Sequence, residues 1–185
     1  MKDKTPDRAF AWSGAFFWFA AAAVAKHFQA RHLQNQAFDL GVYANVLWNT
    51  AHGAWFRDGV KDVNYLADHF SPGLILLVPF ASCLAAAQSA ALAAAIPAVH
   101  RLGRLKLKNR ADAACLAAAF ALSPLLLDTA RYDVHAVAFA VPLLCWALVF
   151  FEEKRPREAL LLLCLAGSLQ EDVWLCAAAA AWWAG

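Results

Sequence analysis

Apolar residues dominate five blocks of the chain, at residues 10–25, 74–99, 111–127, 136–151 and 159–184. A membrane-spanning helix needs about 17–25 mostly apolar residues, and the blocks reach or approach that length. None of them shows the broad polar face that a helix on the surface of a soluble bundle carries. The pattern predicts an all-α, polytopic transmembrane helix bundle with about five spans, and favours it over a soluble bundle of buried helices.

Proline and glutamine interrupt the second block, at Pro79 and Gln88. We therefore expect a short outer helix that ends near residue 81, followed by a crossing helix over residues 84–101. The first helix is expected at residues 10–25. The later helices are expected at residues 111–127, 136–152 and from residue 157 onward.

The long polar connection at residues 26–73 is expected to contain helices of its own, because structureless loops of that length are uncommon. Val42, Val46 and Leu47 share one face of a helix predicted over residues 39–50. Gly53 then stands near the expected C-cap. Ser71 followed by Pro72 predicts the start of the next helix.

Charge is sparse, with 16% charged residues and a net charge of +2, so nucleic acid is not an expected partner. Basic residues cluster before the first block, at residues 101–110 and at residues 154–157. The positive-inside rule places these three segments in the cytoplasm and the segments 26–73 and 128–135 outside. We expect a multi-pass protein of the cell (inner) membrane with a cytoplasmic N-terminus. Its aromatic first helix is expected to be retained rather than cleaved as a signal peptide.

The whole chain, 1–185, is expected to form a single integral-membrane domain whose residues 26–73 form an extracytoplasmic loop. The last apolar run reaches Gly185 with no basic anchor, which is typical of the N-terminal part of a longer unit. Five cysteines lie inside the apolar blocks without a C-x-x-C pair, and we expect small buried apolar residues rather than disulfides or metal ligands.

Four polar clusters are candidates for chemistry: Asp39, Asp68-His69, Asp133-Val134-His135 and Gln170-Glu171-Asp172. Simpler interpretations remain open, since Asp39 can cap a helix, Asp68 and His69 can precede a helix start, and D-x-H is common by chance. Glu171 and Asp172 are the most informative, because a carboxylate inside a membrane helix costs about 2.5–3.5 kcal/mol. They are expected to face the bundle interior or a cavity, as an ion pair, a proton-relay site or part of a functional site. The predicted topology brings all four clusters toward the outer side, where we expect one shared cavity.

Six motifs occur in a fixed order: Phe38-Asp39-Leu40-Gly41, Leu47-Trp48-Asn49-Thr50-Ala51-His52-Gly53, Asn64-Tyr65-Leu66, Asp68-His69-Phe70-Ser71-Pro72, Tyr132-Asp133-Val134-His135 and Gln170-Glu171-Asp172. Together they resemble a family of polytopic membrane proteins, domain of unknown function 2079. That family is similar in layout to the GT-C glycosyltransferases, which take a sugar from a polyprenyl-phosphate lipid. One departure is Gln170, where the family has lysine.

The resemblance implies a GT-C-like glycosyltransferase that uses a polyprenyl-phosphate-linked sugar at the extracytoplasmic face of the lipid bilayer. It implies a catalytic Asp39, substrate-binding roles for a further set of residues, and a divalent cation as a candidate cofactor. The substrate-binding set is Asp68, His69, Asp133, His135, Glu171 and Asp172. The candidate cation ligands are Asp39, Asp133 and His135. Two other functions stay open: a transporter with an intramembrane acidic site, and a non-catalytic truncated membrane protein.

Overall fold

The structure, a computed structural model, describes residues 5–32 and 38–184, with side chains for 7–32 and 38–182. Lys2 and Lys4 of the first basic cluster, residues 33–37 of the first loop and Gly185 lie outside the described residues. The helices are α1 Thr5–Arg31, α2 Phe38–Ala51, α3 Tyr65–Asp68, α4 Leu84–Lys106, α5 Arg110–Ala121, α6 Pro124–Arg131, α7 Ala136–Glu152, α8 Pro156–Gly167 and α9 Val173–Ala184. A 3-10 helical segment runs over Pro72–Cys83, and the strands β1 Arg57–Asp58 and β2 Val63–Asn64 form a short antiparallel hairpin.

The all-α bundle expected from the sequence is confirmed. Two helical stretches of the described chain, Asp7–Arg31 and Pro72–Lys106, are long and apolar enough to cross a membrane. The pair α5 and α6 forms a third candidate span if the two helices, bent by 42°, count as one. Helices α7 and α9 are apolar but shorter. The expected five spans are therefore not confirmed.

The third helix, expected unbroken over residues 111–127, is broken at residues 122–123. Ser123 Oγ accepts a hydrogen bond from Leu126 N at 3.3 Å, and Pro124 begins the new helix α6. Proline has no N–H to continue the helical ladder, so carbonyls at the end of α5 need other donors. The indole of Trp18 in α1 donates to Ala121 O at 2.8 Å and meets part of that need.

The fifth helix, expected unbroken from residue 157, is also broken, and this corrects the placement of Glu171 and Asp172. Helix α8 ends at Gly167 and α9 begins at Val173, so both acids lie in the intervening turn. Gly73 N donates to Ser168 O at 2.7 Å across this break. The 3-10 segment thereby satisfies a backbone carbonyl that the helix break leaves without a helical partner.

Small residues let the central helices approach closely. Helix α4 packs against α1, α5 and α7, and α8 packs on α7. Ala95, Ala98, Ala147 and Ala159 are completely buried at these contacts, which is the packing typical of membrane helices. The expected helices at residues 84–101 and 136–152 correspond to α4 and α7, whereas α1 extends beyond the expected 10–25 at both ends.

The five cysteines differ from the sequence-based expectation in one respect. All are free, but Cys83, Cys115, Cys164 and Cys176 are exposed and Cys145 is half-buried. The expectation that they are buried inside the protein is wrong for four of them. A thiol on the apolar outer surface of a membrane helix contacts lipid, which is why apolar sequence surroundings did not indicate burial within the chain.

The last two turns of α2, which include Asn49 and Thr50 of the motif Leu47–Gly53, have a structural role. Asn45 Oδ1 accepts from Gly59 N at 2.7 Å, Asn49 Nδ2 donates to Arg57 O at 2.9 Å, and Thr50 Oγ1 accepts from Phe56 N at 2.9 Å. These bonds fix the hairpin against α2. Gly53 has φ of +90°, a left-handed conformation that glycine adopts without steric cost.

Candidate functional site

Polar side chains from four separate segments meet around a cavity of about 180 Å³. The cavity lies where α2 begins and α7 begins, beside the hairpin and α3. Its polar lining comes from Asp39, Tyr43, Lys61, Tyr65, His69, His135 and Gln170. Four of the residues singled out in the sequence, Asp39, His69, His135 and Gln170, therefore line the same small cavity, whereas Asp133 and Glu171 are not in its lining.

Asp39 lies in the first turn of α2, and its carboxylate is directed to the cavity. Its Oδ2 lies 3.2 Å from Nε2 of His135, and about a third of the Asp39 side chain is exposed (35%). The imidazole fixes one carboxylate oxygen and leaves the group accessible. The alternative that Asp39 serves as the cap of α2 is wrong, because Asp133 supplies the capping oxygen.

Asp133 is a buried structural carboxylate rather than a lining residue of this cavity. Its Oδ2 accepts hydrogen bonds from Asp39 N at 2.9 Å and Leu40 N at 3.2 Å, and its Oδ1 accepts from Val134 N at 2.9 Å. A carboxylate at a helix N-terminus satisfies unpaired N–H groups and interacts favourably with the helix dipole. Asp133 thus holds Asp39 beside His135, and the substrate-binding role expected for it has no direct geometric support.

Two polar residues that sequence reasoning did not assign to the site hold residues 131–135 in place. Lys26 of α1 is buried, and its Nζ donates to Arg131 O at 3.2 Å and also to Tyr132 O. Gln88 of α4, completely buried, donates to Thr129 O at 3.1 Å and accepts from His135 N at 2.9 Å. A signal was present for Gln88, which interrupts an apolar run where an unpaired polar group is costly, whereas Lys26 directly follows the first apolar block.

His69 and Glu171 form the second acid–histidine pair of the site. His69 Nδ1 donates to Glu171 Oε1 at 3.0 Å, and both side chains are about two-fifths exposed. The hydrogen bond from His69, followed by the bond from the backbone of Glu171 itself, lowers the pKa of the Glu171 carboxyl. The helix break places Glu171 against His69, and the neighbouring Gln170 lines the cavity, whereas Glu171 itself is not part of the lining.

Lys61 and Tyr65 add a cation and a phenol. Lys61 Nζ hydrogen-bonds Asp68, which raises the pKa of the lysine and lowers the pKa of Asp68. Burial and a hydrogen bond with Tyr43 raise the pKa of Tyr65. Asp68 does not line the cavity, and it contacts the site through its hydrogen bond with Lys61. Asp172 is exposed at the start of α9 and is not part of the cavity lining.

The residues present do not fit the expected cation site. Within residues 5–32 and 38–184 no group of three or more His, Cys, Asp or Glu side chains is placed to hold a metal ion. Asp39 and His135 are adjacent, but both oxygens of the third expected ligand, Asp133, already accept backbone hydrogen bonds. The described residues therefore give the three-ligand hypothesis no geometric support, and it stays a prediction.

The fold and this site define a helical membrane protein with an acid–histidine cavity at one end of the bundle. The chain belongs to the family described as predicted membrane protein (DUF2079), whose family model matches residues 29–185. No curated protein and no solved structure matches the chain.

Proposed function

We propose that the protein is a GT-C-like glycosyltransferase that moves a sugar from a polyprenyl-phosphate lipid to an acceptor hydroxyl at the extracytoplasmic face. The observation that carries the proposal is the Asp39 carboxylate, fixed by His135 on the wall of a cavity that also contains Lys61 and His69. An accessible carboxylate beside cationic groups suits a reaction that removes a proton from an alcohol and releases a phosphate.

In this mechanism Asp39 accepts the proton of the acceptor hydroxyl as the oxygen attacks the anomeric carbon of the sugar. The new glycosidic C–O bond forms, the bond from that carbon to the phosphate oxygen breaks, and the lipid phosphate leaves with the electron pair. Lys61, with His69 beside it, stabilises the negative charge of the leaving phosphate. No step requires a metal ion. Lys61 supplies a cation near Gln170, the position at which the family resemblance implies a lysine.

The proposal is tested by a transfer assay on purified full-length protein in nanodiscs, with radiolabelled polyprenyl-phosphate mannose and polyprenyl-phosphate glucose as donors. Asp39→Asn is expected to lower turnover about 100-fold or more, the scale for losing a general base. The change leaves the start of α2 intact, because Asp133 accepts from the backbone N–H groups and not from the Asp39 side chain. Gln170→Lys is expected to keep or raise turnover by adding a cation at the cavity.

Asp62→Asn is the matched control, since Asp62 is an exposed carboxylate of the same loop that pairs with Arg57. Its turnover should equal that of the wild type. Turnover of Asp39→Asn equal to that of the wild type would contradict this mechanism. If neither the wild type nor any variant transfers sugar from either donor, the result favours the non-catalytic alternative.

A second candidate, a proton or ion transporter, is favoured by one observation. The α8–α9 break places Glu171 on non-helical backbone between two helix ends, the arrangement in which transporters hold coupling ions. Proteoliposomes containing a pH-sensitive dye separate the two functions. Transport predicts a proton flux that Glu171→Gln abolishes and Asp39→Asn retains, whereas a glycosyltransferase shows no flux.

A further inference from the structure

A second cavity, of about 330 Å³, lies at the opposite end of the bundle from Asp39. It forms where α1 begins and where α4 and α7 end. His135 stands before α7 and Phe150 lies near its end, so the two sites are about 22 Å apart along this helix at 1.5 Å per residue. This cavity is therefore separate from the site of the proposed reaction.

Guanidinium groups dominate the polar lining of this cavity. Arg8, Arg101 and Arg155 contribute three positive charges, and Glu153 is the one carboxylate among the described lining residues. Glu153 is shared, since it lies 2.6 Å from Arg101 and 3.8 Å from Arg155. Arg155 also pairs with Glu158 outside the lining at 2.9 Å. Among the described lining residues, three guanidinium groups thus stand against one carboxylate.

Aromatic rings form the apolar walls. Trp12, Trp146 and Phe150 line the cavity, and the indole N–H of Trp146 is already bonded to Ala94 O at 3.1 Å. The guanidinium of Arg155 lies 4.4 Å from the centre of the Phe150 ring, which restricts its orientation. A cavity with oriented arginines and apolar walls suits a ligand that joins an anion to an apolar chain.

We propose that this cavity binds a phosphate ester, supplied by the headgroup of an anionic phospholipid. Arginine forks match the geometry of phosphate oxygens. The two long apolar stretches of the described chain are α1 and the one that ends with α4, and both contribute arginine to the cavity near their ends. Arginine and tryptophan are residues expected where a membrane helix reaches the membrane–water interface. Basic pockets between membrane helices at this depth are suited to lipid headgroups. A soluble phosphate offers the same anion without the chain that the aromatic walls accommodate.

The test uses native mass spectrometry of the full-length protein in detergent, titrated with phosphatidylglycerol or phosphatidylcholine. Wild-type protein is expected to bind phosphatidylglycerol more tightly. Arg8→Gln and Arg155→Gln should each weaken that binding about five-fold, the effect of about one charge near a lipid surface. Arg8→Lys should retain most of it. Arg31→Gln is the matched control, because Arg31 is exposed at the other end of the same helix α1.

Inorganic phosphate and glycerol 3-phosphate, added as competitors, identify the source of the phosphate. Failure to compete at millimolar concentration supports the lipid, whereas displacement of phosphatidylglycerol by either compound reassigns the cavity to a soluble phosphate and overturns the lipid assignment. Equal binding of the two lipids overturns the proposal, and so does an Arg31→Gln variant that loses as much affinity as Arg8→Gln. Should Arg155→Gln fail to fold, the Arg8 variants test the proposal alone. Weaker phosphatidylglycerol binding by Arg8→Gln than by Arg8→Lys supports it, and equal binding by the two variants overturns it.

Discussion

Asp133 connects residues that lie far apart in the sequence. Its carboxylate accepts from Asp39 N, 94 positions away, and thereby fixes the start of α2. Asp133→Ala leaves the N–H groups of Asp39 and Leu40 without this acceptor. We expect a loss of about 1–3 kcal/mol in the free energy of unfolding, the scale for a lost cap and unsatisfied buried donors. Thermal unfolding in detergent, followed by circular dichroism, measures the change.

Asp128→Ala provides the control, since Asp128 is an exposed acid on the neighbouring helix α6. Asp133→Asn should lie between the two variants, because the amide keeps one oxygen acceptor and loses the charge. Equal stability of Asp133→Ala and Asp128→Ala would contradict the capping role.

Glu171 is expected to make the stability pH-dependent on the acid side. Its pKa in the folded protein lies below the ordinary value of 4.5. A lowered pKa means that the folded state binds the proton less tightly, so the contribution is present above about pH 4.5 and is lost as the pH falls through the lower, folded-state pKa. Glu171→Gln should flatten the fall of Tm below about pH 4.5. An unchanged acid slope in the variant would show that other groups cause the fall.

At the scale of helices and segments, the contact between the 3-10 segment and the α8–α9 break depends on Gly73. A Cβ at Gly73 would lie 2.9 Å from the carbonyl carbon and oxygen of Ser168 and would also meet the Ser168 hydroxyl. Backbone cannot move aside as a flexible side chain can. Gly73→Ala is therefore expected to destabilise the protein by about 1–3 kcal/mol, measured as the change in unfolding free energy in detergent.

Gly41 is the matched control for that substitution. It lies within α2, and a Cβ there meets nothing within 4 Å. Gly41→Ala should stabilise the protein by about 0.5–1 kcal/mol, since alanine loses less backbone entropy in a helix. If both variants behaved alike, the close approach at Ser168 would not be what requires glycine at position 73.

A comparison of the predicted helices with the observed ones shows which parts of the fold follow from local sequence. Apolar length and position predicted α7 and the start of α4 correctly, because a long apolar run has few alternatives to a helix. The same reasoning missed the α8–α9 break, where Ser168 relies on Gly73, almost a hundred residues earlier. At the site, Asp39, His69 and His135 stood out as polar residues at predicted helix starts. Lys26 and Gln88 were not assigned to it, since their acceptors are backbone atoms of distant segments.

At the scale of the whole molecule, the basic segments gather at one end. Asp7 near the start of α1 lies 3.6 Å from Arg104 and 3.3 Å from Arg110, and Lys106 at the end of α4 lies 2.7 Å from Glu152. The start of α1, the α4–α5 connection and the α7–α8 connection are thus on one side of the bundle. The cavity with Asp39 lies on the other side. This arrangement agrees with the alternation of basic loops along the sequence.

The positive-inside rule turns this arrangement into a prediction of orientation. In a variant with all five cysteines replaced by alanine, single cysteines are introduced at Val60 in the exposed hairpin loop and at Asn109 between α4 and α5. A membrane-impermeant maleimide added to intact spheroplasts should label the residue-60 probe and leave the residue-109 probe unlabelled. Permeabilised cells, in which both probes should react, control for accessibility. Labelling of residue 109 alone in intact spheroplasts would reverse the orientation. Labelling of both there would place the two ends of the bundle on the same side and contradict the alternation on which the topology depends.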